Sequence, residues 1–184
     1  MVSSRRMKVL LCGMLLAGGV PVIAGDSDQQ GLMARGAQLL SPFKKELRSA
    51  LQAGLAAGPD AAVAACHAQA PGIAAQYARD GVRIGRSSHR LRNPANAPEP
   101  WLAPVLDAYL ASETAPAPQL LRLDDGRIGY VEPILLQAPC LLCHGETLAP
   151  EVAQRIETLY PNDEATGFSL GELRGVFWVE YPEK

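Results

Sequence analysis

The chain has 184 residues, of which 48% are hydrophobic and 20% are charged, and its formal net charge is −2 at pH 7. This length favours one domain with a single core. Acidic residues outnumber basic ones by 19 to 17, which argues against bulk binding of nucleic acid.

The first 24 residues have the pattern of a secretory signal. Arg5, Arg6 and Lys8 form a charged head, and the apolar run at 9–19 is too short to cross a bilayer of about 30 Å as a stable helix. Small and branched residues suit signal peptidase here, so we expect cleavage after Ala24. The expected product is a periplasmic domain of residues 25–184 with no membrane span, 14 basic and 19 acidic residues, and a net charge of −5.

Two helices are predicted next. Leucines recur at helical spacing over 32–55, which indicates a long amphipathic helix. Gly58-Pro59 ends it, and a proline at a first helical position lets an alanine-rich helix begin at 60–70, which stops at Pro71-Gly72. The small side chains of this second helix would let a flat ligand approach its backbone.

The middle of the chain indicates irregular structure followed by a hairpin. The stretch 81–100 is rich in proline and glycine and is predicted as mostly irregular chain, before a helix at 101–111. Asp-Asp-Gly at 124–126 lies between the β-prone runs 119–123 and 127–136. Asp-Gly in this position predicts a hairpin of two antiparallel strands.

Toward the carboxyl end, the sequence predicts a helix at 150–159 and a strand at 173–181. Helices placed before and between a few antiparallel strands are typical of an α+β domain.

The segment CLLCH at 140–144 is the attachment pattern of c-type haem. The proline before it can open a helical turn and the glycine after it can close one. Residues three and four apart project from one face of such a turn, so two sulfurs can reach the two vinyl groups while an imidazole reaches the iron. The sequence therefore predicts haem c bound covalently to Cys140 and Cys143, with His144 as an iron ligand.

The cysteine count supports this interpretation. Cys12 is expected to leave with the signal, which leaves Cys66, Cys140 and Cys143, an odd number for an oxidising compartment. A redox disulfide between the paired cysteines would leave the adjacent histidine unexplained. A zinc site needs four ligands, for which one cysteine and two histidines elsewhere remain. Disulfide and zinc stay as alternatives to haem.

The sixth position on the iron has four candidates, Met33, Cys66, His67 and His89. A buried cysteine is more often a small core residue than a ligand, and lone histidines are more often surface or structural residues. The residues alone leave this position open.

A series of short motifs spans nearly all of the mature chain. They are Ala65-Cys66, Ala70-Pro71, Arg86-Ser87-Ser88, the run 92–98 with Trp101, the run 140–145, Tyr160-Pro161, the run 165–168 and Leu173-Arg174-Gly175. In order and spacing they resemble the PAS-like c-type haem family, long catalogued as a domain of unknown function, which also occurs as the sensory part of bacterial signalling receptors.

The resemblance implies a PAS-like antiparallel sheet with flanking helices, a haem in the pocket, and His144 and Cys66 as the two axial ligands. The chain departs from the family pattern at His89, where an apolar residue is usual. A thiolate ligand favours ferric iron, so reduction could release Cys66 and open a position on the iron. Because haem propionates are anionic, Arg86 and Arg92 are expected to bind them.

These expectations favour a haem-based redox or small-ligand sensor in the periplasm. The alternative is a small electron-transfer cytochrome. A haem enzyme such as a peroxidase is a third reading, but no distal histidine and arginine pair can be assigned, so we expect no enzymatic activity. The chain ends at Lys184 without a transmitter, so a sensor is expected to need a separate redox or signalling partner protein in the envelope.

Overall fold

The computed structural model describes residues 25–183. The predicted signal, Cys12 and the cleavage point after Ala24 lie outside the described residues, as does Lys184. Within the described range, no helix combines the length and the apolar character needed to cross a membrane. The predicted boundary of the mature domain stays a prediction.

Four strands of the described chain form one antiparallel sheet. β1 (Arg83–Ser87), β2 (Gln119–Arg122), β3 (Arg127–Leu135) and β4 (Leu173–Pro182) lie in the order β1-β4-β3-β2. The hairpin of β2 and β3 turns at Gly126, whose φ of 79° lies in the left-handed region that favours glycine. The predicted hairpin and the predicted final strand are confirmed.

The described residues also form five α-helices and two 3₁₀ turns. The helices are α1 (Gly25–Ala57), α2 (Pro59–Tyr77), α3 (Ala103–Ala111), α4 (Leu141–His144) and α5 (Pro150–Leu159), and the 3₁₀ turns are Pro94–Asn96 and Ala138–Cys140. The α+β class and the helices expected at 32–55, 101–111 and 150–159 are confirmed. The PAS-like relationship and the attached haem stay predictions.

Helices cover both faces of the sheet. On one face, Phe43 of α1 packs in a core with Val179 and Tyr181 of β4. On the other face, Leu106 of α3 packs with Trp178. Successive residues of a strand point to opposite faces, so β4 supplies side chains to both cores. Full burial of each large apolar side chain contributes about 1.5–3 kcal/mol.

The predicted end of the second helix at Pro71-Gly72 was wrong, because α2 continues through both residues to Tyr77. A proline inside a helix lacks the N–H that would bond to the carbonyl four residues earlier, at a cost of about 3 kcal/mol. Tertiary contacts offset this cost. Ile73 is 7% exposed and packs in the core on the α1 side of the sheet. The Tyr77 hydroxyl donates to the Glu46 carboxylate of α1 at 2.8 Å.

The prediction of mostly irregular chain at 81–100 was wrong for β1. This strand has little apolar alternation, since Ile84 is its buried large apolar residue. The Trp178 ring fills the space beside Gly85 where a side chain would lie. The pairing of β1 with β4, from Arg83 opposite Glu180 onward, joins segments far apart in the chain and left no local signal in the sequence.

β4 contains a β-bulge at Arg174. Ile134 of β3 pairs with Gly175, but the next residue, Leu135, pairs with Leu173, so Arg174 has no partner opposite it. An extra residue in one strand bends that strand and re-aims its side chain. Here the bulge brings Arg174 to the end of the sheet where the predicted site residues lie.

Candidate functional site

A cavity of about 210 Å³ lies between the first two helices and one end of the sheet. Its wall contains all six residues that the sequence singled out, although they come from α2, β1, the loop after β1 and the turn around α4. They are Cys66, Arg86, Arg92, Cys140, Cys143 and His144. The structure thus brings the predicted set together, and the roles of these residues as ligands stay predictions.

Much of the remaining wall is apolar. Leu51 and Leu55 of α1, Val63 of α2, Ile134 of β3 and Phe177 of β4 line the cavity. Sites for largely apolar ligands combine such walls with a few placed polar groups. A flat apolar ring system with anionic substituents matches this combination of leucines, an aromatic ring and arginines.

The turn that carries the paired cysteines has the predicted local structure. A 3₁₀ turn at Ala138–Cys140 leads directly into α4, and the Gly145 N–H donates to the Leu141 carbonyl at 3.0 Å. The Phe168 N–H donates to the His144 carbonyl at 2.9 Å. The second of these bonds fixes the short helix to the segment at 165–168, so the helix does not depend on its own length for stability.

The His144 ring has a defined orientation. Its Nδ1 lies 2.6 Å from the Ala165 carbonyl oxygen, and because a carbonyl can only accept, we assign the ring proton to Nδ1. Nε2 then keeps its lone pair, the arrangement found in histidines that bind metals. Burial, together with Arg174 and Arg92, lowers the pKa of His144 to about 3. The imidazole is therefore neutral at physiological pH.

The thiols of Cys66, Cys140 and Cys143 are free within the described chain. Burial is the main cause that raises the pKa of Cys143, while Arg92 opposes it and the other two thiols add to it. A thiol that stays protonated is a poor attacking group, which does not favour the redox-disulfide alternative. Among residues 25–183, no group of three or more His, Cys, Asp or Glu side chains is arranged so that it could hold a metal ion.

Of the four candidates for the sixth position on the iron, Cys66 lines the cavity with His144. His67 is exposed and packs edge-on against a tyrosine ring at 5.0 Å. His89 packs against Phe168, with ring centroids 5.9 Å apart. Met33 packs into the core on the α1 side of the sheet.

Arg92 is held by the protein itself. Its Nε donates to Asp163 at 2.8 Å, with the two side chains 12% and 8% exposed, and its Nη2 donates to the Cys143 carbonyl at 2.7 Å. Arg92 therefore clamps the turn that carries the cysteines. Arg86, in contrast, forms no salt bridge within the described part of the chain and leaves its charge at the cavity wall.

Arg174 is a cavity residue for which the sequence predicts no role. Its Nη1 donates to the Ser88 Oγ at 2.7 Å and to the Arg90 carbonyl at 3.0 Å, and its Nε lies 3.3 Å from the His144 Nδ1. Burial and the neighbouring arginines lower the pKa of Arg174 to about 10, which leaves it cationic at neutral pH. The motif at 173–175 was part of the family resemblance, but the spacing of residues in the sequence does not predict the β-bulge that positions Arg174.

Comparisons with known proteins identify a family and a similar solved structure. The model of the Tll0287-like family matches residues 28–182. The crystal structure of the cyanobacterial heme-protein Tll0287 is similar, with a TM-score of 0.51 and 30% sequence identity over 67% of this chain and 73% of that chain. No curated protein matches the chain. The family match includes all six predicted cavity residues.

Proposed function

This chain belongs to the Tll0287-like family, and we propose that it is a periplasmic c-type haem protein that senses redox state or a small ligand. One observation carries the proposal: two thiols spaced for attachment, a neutral imidazole and a third thiol line a single cavity. The similar crystal structure is that of a heme-protein, which supports haem as the ligand of this cavity.

The residues around the cavity fit a covalently held haem. Cys140 and Cys143 lie three residues apart on one short turn, and the S–H of each would add across one vinyl group with no atom lost. Ala62 and Val63 of α2 present small side chains to the cavity, which leaves room beside the helix for a flat ring. Bound haem would supply a one-electron ferric–ferrous couple and an iron position for small ligands.

His144 and Cys66 are the residues that would bind the iron of a haem in this cavity. The bond from the His144 Nδ1 to the Ala165 carbonyl fixes the imidazole in the tautomer whose Nε2 can donate to iron. Cys66 lies on α2, whereas the other three bonding residues lie on the turn around α4. A bound haem would therefore be held by Cys140, Cys143 and His144 from one turn, and by Cys66 from a separate helix that could move independently.

This separation is the basis of the proposed sensing. An anionic thiolate stabilises ferric iron, so its bond weakens on reduction. Release of Cys66 would free a position for a small ligand and remove one constraint on α2. A local change of this kind would act as a switch if it shifts α2 between two positions.

Arg86 is the better candidate of the two predicted propionate partners. Its guanidinium has no carboxylate partner in the described chain, so it is available to a propionate as a bidentate donor. Arg92 already binds Asp163 and the Cys143 carbonyl. We propose that Arg92 acts by holding the attachment turn in place.

The test is covalent attachment. The full chain is produced in a bacterium competent for cytochrome c assembly and purified from the periplasm. One sample is denatured, separated by electrophoresis and stained for haem. The mass of a second sample is measured by mass spectrometry. We expect the wild type to carry one haem, Cys66→Ala to carry it as well, and the double variant Cys140→Ala/Cys143→Ala to carry none. A wild-type protein without stain and without added mass refutes the proposal.

A further inference from the structure

A guanidinium lies directly behind the proposed iron ligand. The Arg174 Nε is 3.3 Å from the His144 Nδ1. Because that nitrogen already donates its proton to the Ala165 carbonyl at 2.6 Å, it has no lone pair to accept a bond from arginine. The contact is therefore electrostatic, between a cation and the ring edge that faces away from Nε2.

Several features fix this cation in place. Its Nη1 donates to the Ser88 Oγ and the Arg90 carbonyl, and its guanidinium carbon lies 5.5 Å from the centroid of the Phe168 ring. The residue itself is the extra member of the β4 bulge. A bulge next to a cavity is commonly retained because it directs one side chain.

The charge of Arg174 is not neutralised locally. In the described chain Arg174 forms no salt bridge. The negative charge of Asp163 attracts the Arg174 guanidinium, but the Asp163 carboxylate is already paired with Arg92. Arg86 and Arg92 add further positive charge at the same cavity. In a half-buried site such charges are screened far less than on an exposed surface.

We propose that Arg174 is a positioning residue that raises the reduction potential of a haem bound through His144. This inference rests on the proposed function. Reduction adds one negative charge to the haem, and a fixed cation behind the ligand stabilises the reduced state. The same cation draws electron density from the imidazole and weakens its donation to ferric iron. Both effects oppose the thiolate of Cys66, which favours the ferric state.

The experiment is a potentiometric titration of the purified holoprotein, followed by its visible spectrum, for the wild type and three variants. Arg174→Gln removes the charge, Arg174→Lys keeps a charge near the same place, and Arg155→Gln removes an arginine charge from α5, where the side chain is 45% exposed. At a fixed ambient potential, we expect Arg174→Gln to lower the ferrous-to-ferric ratio at least about tenfold, which is 59 mV for one electron. Arg174→Lys and Arg155→Gln should stay within about threefold of the wild type.

An unchanged ferrous-to-ferric ratio in Arg174→Gln overturns the inference. A shift in Arg174→Lys as large as that in Arg174→Gln also overturns it, because packing rather than charge would then be responsible. If Arg174→Gln does not fold, Ser88→Asp replaces it, because a carboxylate in place of the hydroxyl that holds Nη1 would pair with the guanidinium and neutralise its charge. A lower potential in Ser88→Asp but not in Ser88→Asn supports the inference, and an unchanged potential in Ser88→Asp overturns it. A wild-type protein that carries no haem refutes the proposed function as well, whereas a haem-loaded protein with an unmoved potential refutes only this inference.

Discussion

Arg92 and Asp163 form an ion pair with a distance of 2.8 Å between Nε and Oδ1, and both side chains are largely buried. The same guanidinium donates to the carbonyl of Cys143. This one pair therefore connects the loop after β1, the segment before β4 and the turn that carries the paired cysteines.

We expect Asp163→Asn to lower the free energy of unfolding by about 2–4 kcal/mol, because it leaves Arg92 buried without its counter-charge. Urea unfolding followed by circular dichroism measures the change. The matched control is Asp28→Asn, since Asp28 is 62% exposed and lies 3.5 Å from Arg122. Such exposed pairs contribute at most about 1 kcal/mol. Equal losses in the two variants would contradict a structural role for the Arg92 pair.

Cys66→Ala should change the iron site without removing the haem. Loss of an anionic ligand favours the ferrous state, so we expect the ferrous-to-ferric ratio at fixed potential to rise by more than about tenfold. The open position should also bind carbon monoxide in the ferrous protein more readily than in the wild type. Visible spectra and a potentiometric titration provide both readouts. His67→Ala is the control on the same helix, and a Cys66→Ala spectrum identical to that of the wild type would end the thiolate assignment.

Glu180 is a fully buried carboxylate on the α3 side of the sheet. It accepts from the Trp101 Nε1 at 2.6 Å, from Arg83 at 3.1 Å, and from Arg127. Glu180→Gln keeps the shape but removes the charge, so we expect a loss of about 1–3 kcal/mol in the free energy of unfolding. Glu183→Gln, whose side chain is 38% exposed, should change stability by less than about 1 kcal/mol. Thermal or urea unfolding that ranks the two variants in the opposite order would refute this expectation.

Pro71→Ala should stabilise the protein. Helix α2 runs through this proline, whose missing N–H leaves a carbonyl in the preceding turn without its bond. We expect a gain of about 1–3 kcal/mol in the free energy of unfolding. Pro59 stands at the start of the same helix, where no such bond exists, so Pro59→Ala should bring no comparable gain. A loss of stability in Pro71→Ala would show that the ring makes contacts that outweigh the missing bond.

Tyr109 gives a prediction about alkaline pH. Its hydroxyl donates to the Ala117 carbonyl at 2.6 Å, and burial raises the pKa of Tyr109 to about 12 from 10.0. A raised pKa means that the neutral phenol is favoured in the folded state, so its contribution is complete below pH 10 and is lost between pH 10 and 12. At pH 7 to 9, Tyr109→Phe should be less stable than the wild type by about 1 kcal/mol.

Between pH 10 and 12, this advantage of the wild type should shrink and then reverse, by about 2 kcal/mol in total. Urea unfolding of both proteins across this range measures the difference and cancels the titration of the other groups. A difference that stays constant up to pH 12 would contradict the assigned shift.

Local signals allowed much of the fold to be predicted from the sequence. The turn at 124–126, the helix at 150–159 and the attachment turn are each encoded within a few neighbouring residues. What was missed depends on distant partners. β1 exists because β4 pairs with it, and α2 passes Pro71 because Ile73 reaches the core.

For the candidate site, too, local motifs predicted some residues, and a residue that depends on a distant pairing was missed. The motif at 140–144 and the family resemblance identified six residues that the structure places around one cavity. Arg174 was not identified, because its position depends on a one-residue slip in the pairing of β3 and β4. A pattern of residue types along a single strand contains no information about such a slip.

The strand order has a consequence for biosynthesis. β4 lies between β1 and β3 and is the last strand of the described chain to be made. While a nascent polypeptide emerges from its amino end, β2 and β3 can pair with each other, but β1 has no neighbour to pair with until β4 is made. Cys140 and Cys143 precede β4 in the chain, so both thiols are made before the strand that completes the sheet beside them.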